Sequence, residues 1–310
     1  SPVAYISPSE TVLNAKPNPF VAQFSSIGPN SLTPDILKPD ITAPGVNILA
    51  AWSEAAPLLP RIDSKQTFVP FNLISGTSMA CPHVSGVVAL LKAAYPDWSP
   101  AAIKSAIMTT AFRLDNSKEA MKRSSREIAG PFDYGAGHID PNMASNPGLV
   151  YNASMQDYLS FFCSLGYNST QIKLLTGNGF SCPNHKEEVY NFNYPSITVS
   201  ELKGPLFVKR TVTYVSEGPA VFEANVKSPR GVLVAAKPSK LTFSNKGEKR
   251  VFYLVMKPQE SVGNEYVFGS LTWKNGEQKV TSPTVVKRAT PRSPELTKHS
   301  HFNHPEYKSF

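Results

Sequence analysis

A serine hydroxyl serves as an acyl-transfer nucleophile when a turn holds it out from the backbone beside donors that can receive an oxyanion. The stretch Asn72-Leu73-Ile74-Ser75-Gly76-Thr77-Ser78-Met79-Ala80-Cys81-Pro82-His83-Val84-Ser85-Gly86 has the residues for that arrangement. Gly76-Thr77 predicts a tight turn, and the Ala- and Val-rich run to Leu91 predicts an apolar helix. Ser78 falls where one becomes the other. The first N–H groups of a helix lack intrahelical acceptors and carry partial positive charge, so a carbonyl attacked by Ser78 meets donors at the same place. A lone Ser at a helix start is ordinarily just a cap, so the weight rests on the residues around it.

The string G-T-S-M-A-x-P-H-V-S-G resembles the nucleophile segment of the subtilisin-like serine proteases. Phe24-Ser25-Ser26-Ile27-Gly28-Pro29-Asn30, the run Leu37-Lys38-Pro39-Asp40-Ile41-Thr42-Ala43-Pro44-Gly45-Val46, and Phe132-Asp133-Tyr134-Gly135-Ala136-Gly137-His138-Ile139-Asp140-Pro141 resemble the plant, cucumisin-like branch. The resemblance runs from about Tyr5 to about Val286. It implies the C-terminal part of a subtilisin-like α/β domain with a parallel sheet over residues 1–150, with Ser78 as the catalytic nucleophile of a serine-type endopeptidase acting on protein or peptide. Ile27 departs from the pattern, which commonly has Arg in that run.

A catalytic serine needs a base and an orienting carboxylate, and in this family the chain order is Asp, His, Ser. Both partners are therefore expected before Ser78. The first histidine of the chain is His83, and no D-[ST]-G or H-G-T segment precedes the serine; the upstream acids Glu10, Asp35, Asp40, Glu54 and Asp63 lack those contexts. His83 lies five residues on, rotated by about 140° and displaced by about 7.5 Å along the helix, so it diverges from Ser78. The family's Asn donor to the oxyanion and the strands of its main specificity pocket also belong upstream. The chain opens at Ser1-Pro2-Val3 without an initiator Met or signal peptide, which the resemblance places after the protease-associated insertion of the plant enzymes. The missing N-terminal protease segment is thus an expected partner, and without it the chain alone is expected to be inactive.

The elements that must position Ser78 follow from pattern. Val21 to Trp52 alternates short apolar runs with Gly and Pro turns, as strands do, and Ala55 to Val69 has no period and reads as a surface loop. Val84 to Tyr95 reads as a buried helix ended by Pro96; Ser99-Pro100 opens a second, with Ile103, Ala106 and Ile107 on its apolar face. Arg113 to Glu127 is charged and predicts a mobile loop. Residues 151–192 form a connector, helical over Met155 to Leu165, and Asn191 to Asn193 read as a linker. From Tyr194 the period becomes two, with about seven strands from Ser196 to Trp273. That describes a β-sandwich over 193–287, and its order and words such as N-Y-P-S-I and R-T-V-T resemble the fibronectin-III-like domain that ends plant subtilases. Residues 288–310 are polar, without period, and are expected to be a disordered tail.

Composition excludes several other classes. The net charge of +8 is scattered, without a basic helix, zinc-knuckle spacing or aromatic RNA-binding motif, so no nucleic-acid partner is expected. No phosphate-cradling G-x-x-x-x-G-K-[ST] and no Cys/His cluster at metal spacing occur, so neither cofactor nor metal is implied. No apolar run of about 18 residues is present to span a membrane. Three cysteines allow at most one internal bridge. Cys163 with Cys182 is the pair implied by the segment's resemblance to the family's C-x-x-G-Y region, leaving Cys81 as a small buried residue in the helix behind Ser78. The sequons Asn152-Ala153-Ser154 and Asn168-Ser169-Thr170 fit glycosylation of Asn152 and Asn168 and a secreted, extracellular protein of the apoplast or cell wall. The alternative function is a truncated, non-catalytic remnant that acts as a protein-binding module. Peptide mapping under non-reducing conditions is expected to recover Cys163 joined to Cys182 and Cys81 as a thiol. Closing that loop should stabilise the fold by about 3 kcal/mol, and reduction should lower the unfolding midpoint accordingly.

Overall fold

The computed structural model describes residues 2–5, 7, 12–58, 67–259 and 265–288. The expected tail from 289 on and the middle of the loop after Trp52 lie outside them. The chain begins with an α/β part: β1 (Ile48–Ala51) and β2 (Phe71–Ile74) pair antiparallel, then come α1 (Thr77–Ala94), α2 (Pro100–Thr109) and the single turns α3 (Pro131–Tyr134) and α4 (Pro141–Ala144). After β3 (Leu149–Val150) come α5 (Met155–Ser164) and α6 (Ser169–Thr176). Eight further strands follow: β4 (Ile197–Leu202), β5 (Leu206–Tyr214), β6 (Ala220–Lys227), β7 (Val232–Lys237), β8 (Lys240–Phe243), β9 (Lys249–Pro258), β10 (Tyr266–Lys274) and β11 (Lys279–Arg288).

Those strands form a sandwich of two sheets, in the orders β4-β11-β10-β6-β8 and β3-β5-β9-β7. Alternate residues point inward, and Trp273, Phe222, Phe243, Phe252 and Leu254 fill the space between the sheets. The sequence period marked seven strands, and two escaped it. In β11, Pro283 interrupts the pattern and argues against a strand inside a sheet; the parallel ladder with β4 starts one residue later, at Thr284, beyond the missing N–H. β3 is only two residues long, too short to show a period. It pairs Leu149 with Tyr214 and Val150 with Thr213, so the boundary expected at residue 150 falls inside a sandwich strand.

Other expectations also change. Arg113 to Glu127 is not a loose loop: bridges join Leu114 to Ala120, Lys122 to Ile128 and Val21 to Arg123, and Met121 is buried against Val21, Ala129 and Tyr134. One apolar side chain at position 121 holds a strongly charged stretch that composition reads as solvated. Asn191 to Asn193 is no free linker either. Asn191 Oδ1 accepts from Lys209 N at 3.0 Å, and Asn193 bonds the Asn152 and Thr211 carbonyls through Nδ2 and Thr211 N through Oδ1. Beside them Arg210 is buried without a carboxylate among the described residues. Its guanidinium donates instead to the carbonyls of Tyr190, Tyr194, Ser196 and Lys209 at 2.8–3.2 Å, and burial lowers its pKa to about 10.

The two halves share a packed seam. Tyr151 N donates to Ser105 Oγ of α2 at 2.8 Å, and its hydroxyl accepts from Ser282 Oγ of β11 at 2.9 Å. Ala102 and Ala106 of α2 bury Val150, and Phe132 sets its ring edge-to-face with Tyr266 and Phe268. Asp35 Oδ1 accepts from Ser200 N at 2.7 Å.

Leu149 and Tyr151 are fully buried in the sandwich core, so cutting ahead of residue 193 removes them. A fragment of residues 146–288 is expected to unfold cooperatively, and one of 193–288 to be less stable by about 3–5 kcal/mol, by chemical denaturation. A second expectation concerns His138, whose ring lies tilted against Phe112, 4.9 Å between centres, and which hydrogen-bonds the Ile139 carbonyl through Nδ1. Burial depresses its pKa below the usual imidazole value. The unfolded chain then binds more protons than the folded one below about pH 6.5, so stability falls as pH drops below that value. Denaturation between pH 7.5 and 5 should show this loss, and His138→Gln should flatten it.

Candidate active site

Ser78 is the second residue of α1, and its position follows from the ribbon that precedes it. β2 runs antiparallel to β1 and delivers the chain to Ser75-Gly76, where Ser75 Oγ accepts from Asn47 N at 2.8 Å and Gly76 N donates to the Gly45 carbonyl at 2.8 Å. The Pro44-Gly45-Val46 strip therefore lies directly against the turn. A Cβ on Gly45 would stand 2.8 Å from the Gly76 carbonyl oxygen and 3.2 Å from Ala80 Cβ, so this approach needs glycine.

Met79 N and Ala80 N both turn back to the Gly76 carbonyl at 3.0 and 3.3 Å, and the N–H groups of Thr77 and Ser78 have no acceptor among the described residues. An exposed hydroxyl and two free amide donors thus sit together at the helix start, the elements of oxyanion stabilisation. Pro82 stands four residues after Ser78 and brings no N–H to the Ser78 carbonyl, so the helix ladder is open there too.

His83 does not serve Ser78. Its Nδ1 lies 2.8 Å from the Met79 carbonyl, which makes that nitrogen the donor and anchors the ring to its own helix. Among the described residues no imidazole or carboxylate bonds the Ser78 hydroxyl, and no group of three or more His, Cys, Asp or Glu side chains could hold a metal ion. Two clefts of about 360 and 370 Å³ lie between the connector and the sandwich and beside β4, lined by residues such as His185 and Lys209 or Tyr190 and Lys203. Neither includes Ser78.

The helix behind the serine differs from its sequence reading. Apolar on all sides, α1 reads as buried, yet Leu91 is its only fully buried residue and Cys81 is exposed. Leu91, Val84 and Val87 pack on Ala43, Ile103 and Ile107, whereas Leu90 faces solvent. So do Leu49 and Phe71 of the ribbon, at 71% and 61% exposure. Composition marks a helix as apolar; whether anything lies on each of its sides is decided by other elements.

The remaining marked residues are spread over the connector. Cys163 and Cys182 form a disulfide that ties the end of α5 to the segment after α6, over a small core of Leu159 and Ile172. Asn152 and Asn168 are both exposed. Asn152 Oδ1 accepts from Ser99 Oγ and Ala153 N, and Asn168 Oδ1 caps α6 by accepting from Gln171 N at 3.0 Å. In each case the oxygen is engaged and the amide nitrogen is left for other chemistry.

Sequence reasoning passed over one cluster that positions the site. Asp40 stood only as an acid without a catalytic context. Its carboxylate accepts from the Tyr194 hydroxyl at 2.5 Å and from Lys38 Nζ at 2.8 Å, with Lys104 Nζ 5.3 Å from the centre of the Tyr194 ring. Burial and the Asp40 charge push the Tyr194 pKa up, so the hydroxyl stays a donor. Both residues lie in the runs L-K-P-D and N-Y-P-S, the signal that could have paired them.

Comparison with known proteins bears on both halves. Residues 9–137 match the model of the Subtilase family, and residues 191–286 match that of a fibronectin type-III domain. Subtilisin-like protease SBT5.3 of Arabidopsis thaliana is 48% identical over 289 residues, covering 92% of this chain and 37% of its own length. Subtilisin-like serine-protease S of Lotus japonicus is 50% identical over 284 residues, covering 91% and 37%. Subtilisin-like protease SBT1.6 of Arabidopsis thaliana is 46% identical over 299 residues, covering 92% and 39%. The chain spans between a third and two-fifths of the length of these curated relatives. A serine presented at a helix start beside free amides, an α/β part seamed to a β-sandwich, and these matches over nine-tenths of the chain lead to one assignment: the chain belongs to the subtilase family, among the plant subtilisin-like serine proteases.

Proposed function

We propose that this chain supplies the nucleophile of a serine-type endopeptidase, and that Ser78 Oγ is that nucleophile. The observation that carries the reading is the exposed Ser78 hydroxyl at the start of α1 beside the free N–H groups of Thr77 and Ser78. Ser78 Oγ attacks the carbonyl carbon of a peptide bond, and its proton passes to a histidine supplied from sequence outside these 310 residues. The amide donors receive the oxyanion. Collapse of the tetrahedral intermediate breaks the C–N bond, the amine leaves with the proton from that histidine, and water then releases the acyl group from Ser78. With the Asp, the His and the second oxyanion donor supplied by the N-terminal protease segment, the chain alone is expected not to activate the hydroxyl.

The exposed apolar surface around the site supports a packed partner there. Val46, Leu49, Phe71 and Leu73 on the ribbon that leads to Ser78 and Leu90 on the helix that follows it are 49–71% exposed, and Leu49 and Leu73 are direct cross-strand partners. A secreted, extracellular setting fits the Cys163–Cys182 bridge and glycosylation of Asn152 and Asn168. Among the described residues no helix is long and apolar enough to cross a membrane.

A fluorophosphonate probe tests the assignment. The isolated chain is expected to label no faster than Ser78→Ala and to leave casein intact. Supplied with the N-terminal protease segment of a subtilisin-like relative, it should label at Ser78, and labelling and casein cleavage should both vanish in Ser78→Ala. Labelling of the isolated chain that Ser78→Ala removes would show that no external base is needed. Absence of labelling in the reconstituted pair, with the two segments shown by gel filtration to be associated, would favour the non-catalytic binding module.

A further inference from the structure

The two sheets of the sandwich treat their solvent faces differently. On the five-stranded sheet, Glu223 and Lys240 are direct cross-strand partners and pair at 2.8 Å, as a solvated face does. On the four-stranded sheet the strand registers place three rows side by side on the outer face. Phe207, Val255 and Ala235 form one, Lys209, Tyr253 and Lys237 the next, and Thr211 with Val251 the third. Lys257 beside Leu233 closes one end and Lys249 beside Thr213 the other. The three strands of this outer face carry four lysines and no carboxylate; the acids nearest to it are Asp157, Glu187 and Glu188 of the connector, in the cleft that Lys209 borders. None of the four makes an ion pair among the described residues.

The centre of the face is apolar and open. Phe207 is 60% exposed, Leu233 51%, Val251 44% and Tyr253 42%; Val251, Tyr253 and Val255 follow one another along this face of β9, Phe207 pairs with Val255, and Leu233 lies diagonally from it beside Lys257, so the five join in one patch. With strands about 4.8 Å apart and a rise of about 3.4 Å per residue, Lys209 and Lys237 stand about 10 Å apart across Tyr253, and Lys249 and Lys257 about 27 Å apart along β9. An aromatic and aliphatic centre with a charged rim is the anatomy of a protein interface, and a rim of one sign selects a partner of the other.

We propose that this face docks an acidic polypeptide segment with apolar side chains interspersed among its carboxylates. Aliphatic Leu233, Val251 and Val255 need apolar side chains opposite them, which a polyuronate lacks. The apolar residues lie in the middle of a sheet, not on a helix stripe that could sink into a bilayer boundary, so an anionic membrane is the poorer fit. The lysines, as compact point charges, impose no bidentate geometry, so the face selects by charge and apolar spacing more than by exact sequence. It shares no residue with the Ser78 site, and the proposal is independent of the chain's catalytic role.

The test uses the full chain and a fluorescent twelve-residue peptide alternating Glu with Leu and Tyr, read by anisotropy, with amide hydrogen exchange to map protection. Binding is expected at low ionic strength, with protection on β5, β7 and β9. Lys209→Gln with Lys237→Gln should weaken it at least tenfold, as should Phe207→Ser, and Lys240→Gln on the other sheet should not. All variants change exposed side chains, and unchanged thermal midpoints check that they fold. The Glu→Gln version of the peptide should not bind. The proposal is overturned if the peptide does not bind, if Lys240→Gln weakens it as much as the pair on the four-stranded sheet, or if protection falls elsewhere. It is equally overturned if polygalacturonate or phosphatidylserine vesicles bind in a manner sensitive to Lys209 and Lys237 while the peptide does not.

Discussion

The Tyr194 hydroxyl donating to the Asp40 carboxylate is the contact from which the placement of Ser78 can be traced. Asp40 is gripped on one side by this bond and by Lys38, and on the other its backbone carbonyl accepts from Ala136 N at 3.0 Å. The turn at Gly135 comes so close that a Cβ there would lie 2.4 Å from the Asp40 carbonyl, in a backbone conformation with φ of 67° that already favours glycine. Two residues on, Thr42 N donates to the Gly137 carbonyl and Thr42 Oγ1 to the Tyr134 carbonyl. The strip from Asp40 to Gly45 is thereby fixed between the sandwich and the Gly135-Ala136-Gly137 turn. Its far end receives Gly76, two residues before Ser78.

This continuity gives the β-sandwich a positional role without any reactive group of its own. Tyr194 is set by the carbonyl network of Arg210, whose charge is buried and answered by four backbone oxygens in place of a carboxylate. A buried cation satisfied only by fixed dipoles holds the segment from Tyr190 to Ser196 in one shape, because losing any carbonyl leaves a costly unsatisfied donor. Phe132 wedged against Tyr266 and Phe268, and Asp35 accepting from Ser200 N, add to the same seam.

Packing is unequal along that path. The sandwich has a continuous aromatic core and the seam is dense, whereas the ribbon β1–β2 and the outer side of α1 leave apolar side chains in water. Ser78 thus stands where the fewest side chains are buried around it: Leu91 is the one buried residue of its helix. The turn before Ser78 is held there by hydrogen bonds, from Met79 N and Ala80 N to the Gly76 carbonyl, from Gly76 N to the Gly45 carbonyl and from Asn47 N to Ser75 Oγ, which do not require a filled core.

Local chemistry was legible in the sequence, and long-range pairing was not. Ser99 as a cap with Pro100 after it, the helix from Met155, the period of two after Tyr194 and the turn before Ser78 all rest on neighbours within about four residues, which is the range over which propensity and capping act. The order of strands, the Pro283-bearing β11, the two-residue β3 and the burial of Met121 are set by partners far along the chain. So are the exposure of Cys81 and of Leu90, since an apolar helix is buried only where another element comes to lie on it. By itself the sequence determined that Ser78 opens a helix as a candidate nucleophile. Tertiary structure alone decided that Asp40 answers to Tyr194 and Lys38, because a carboxylate's partners depend on which donors the fold carries to within hydrogen-bond distance of it.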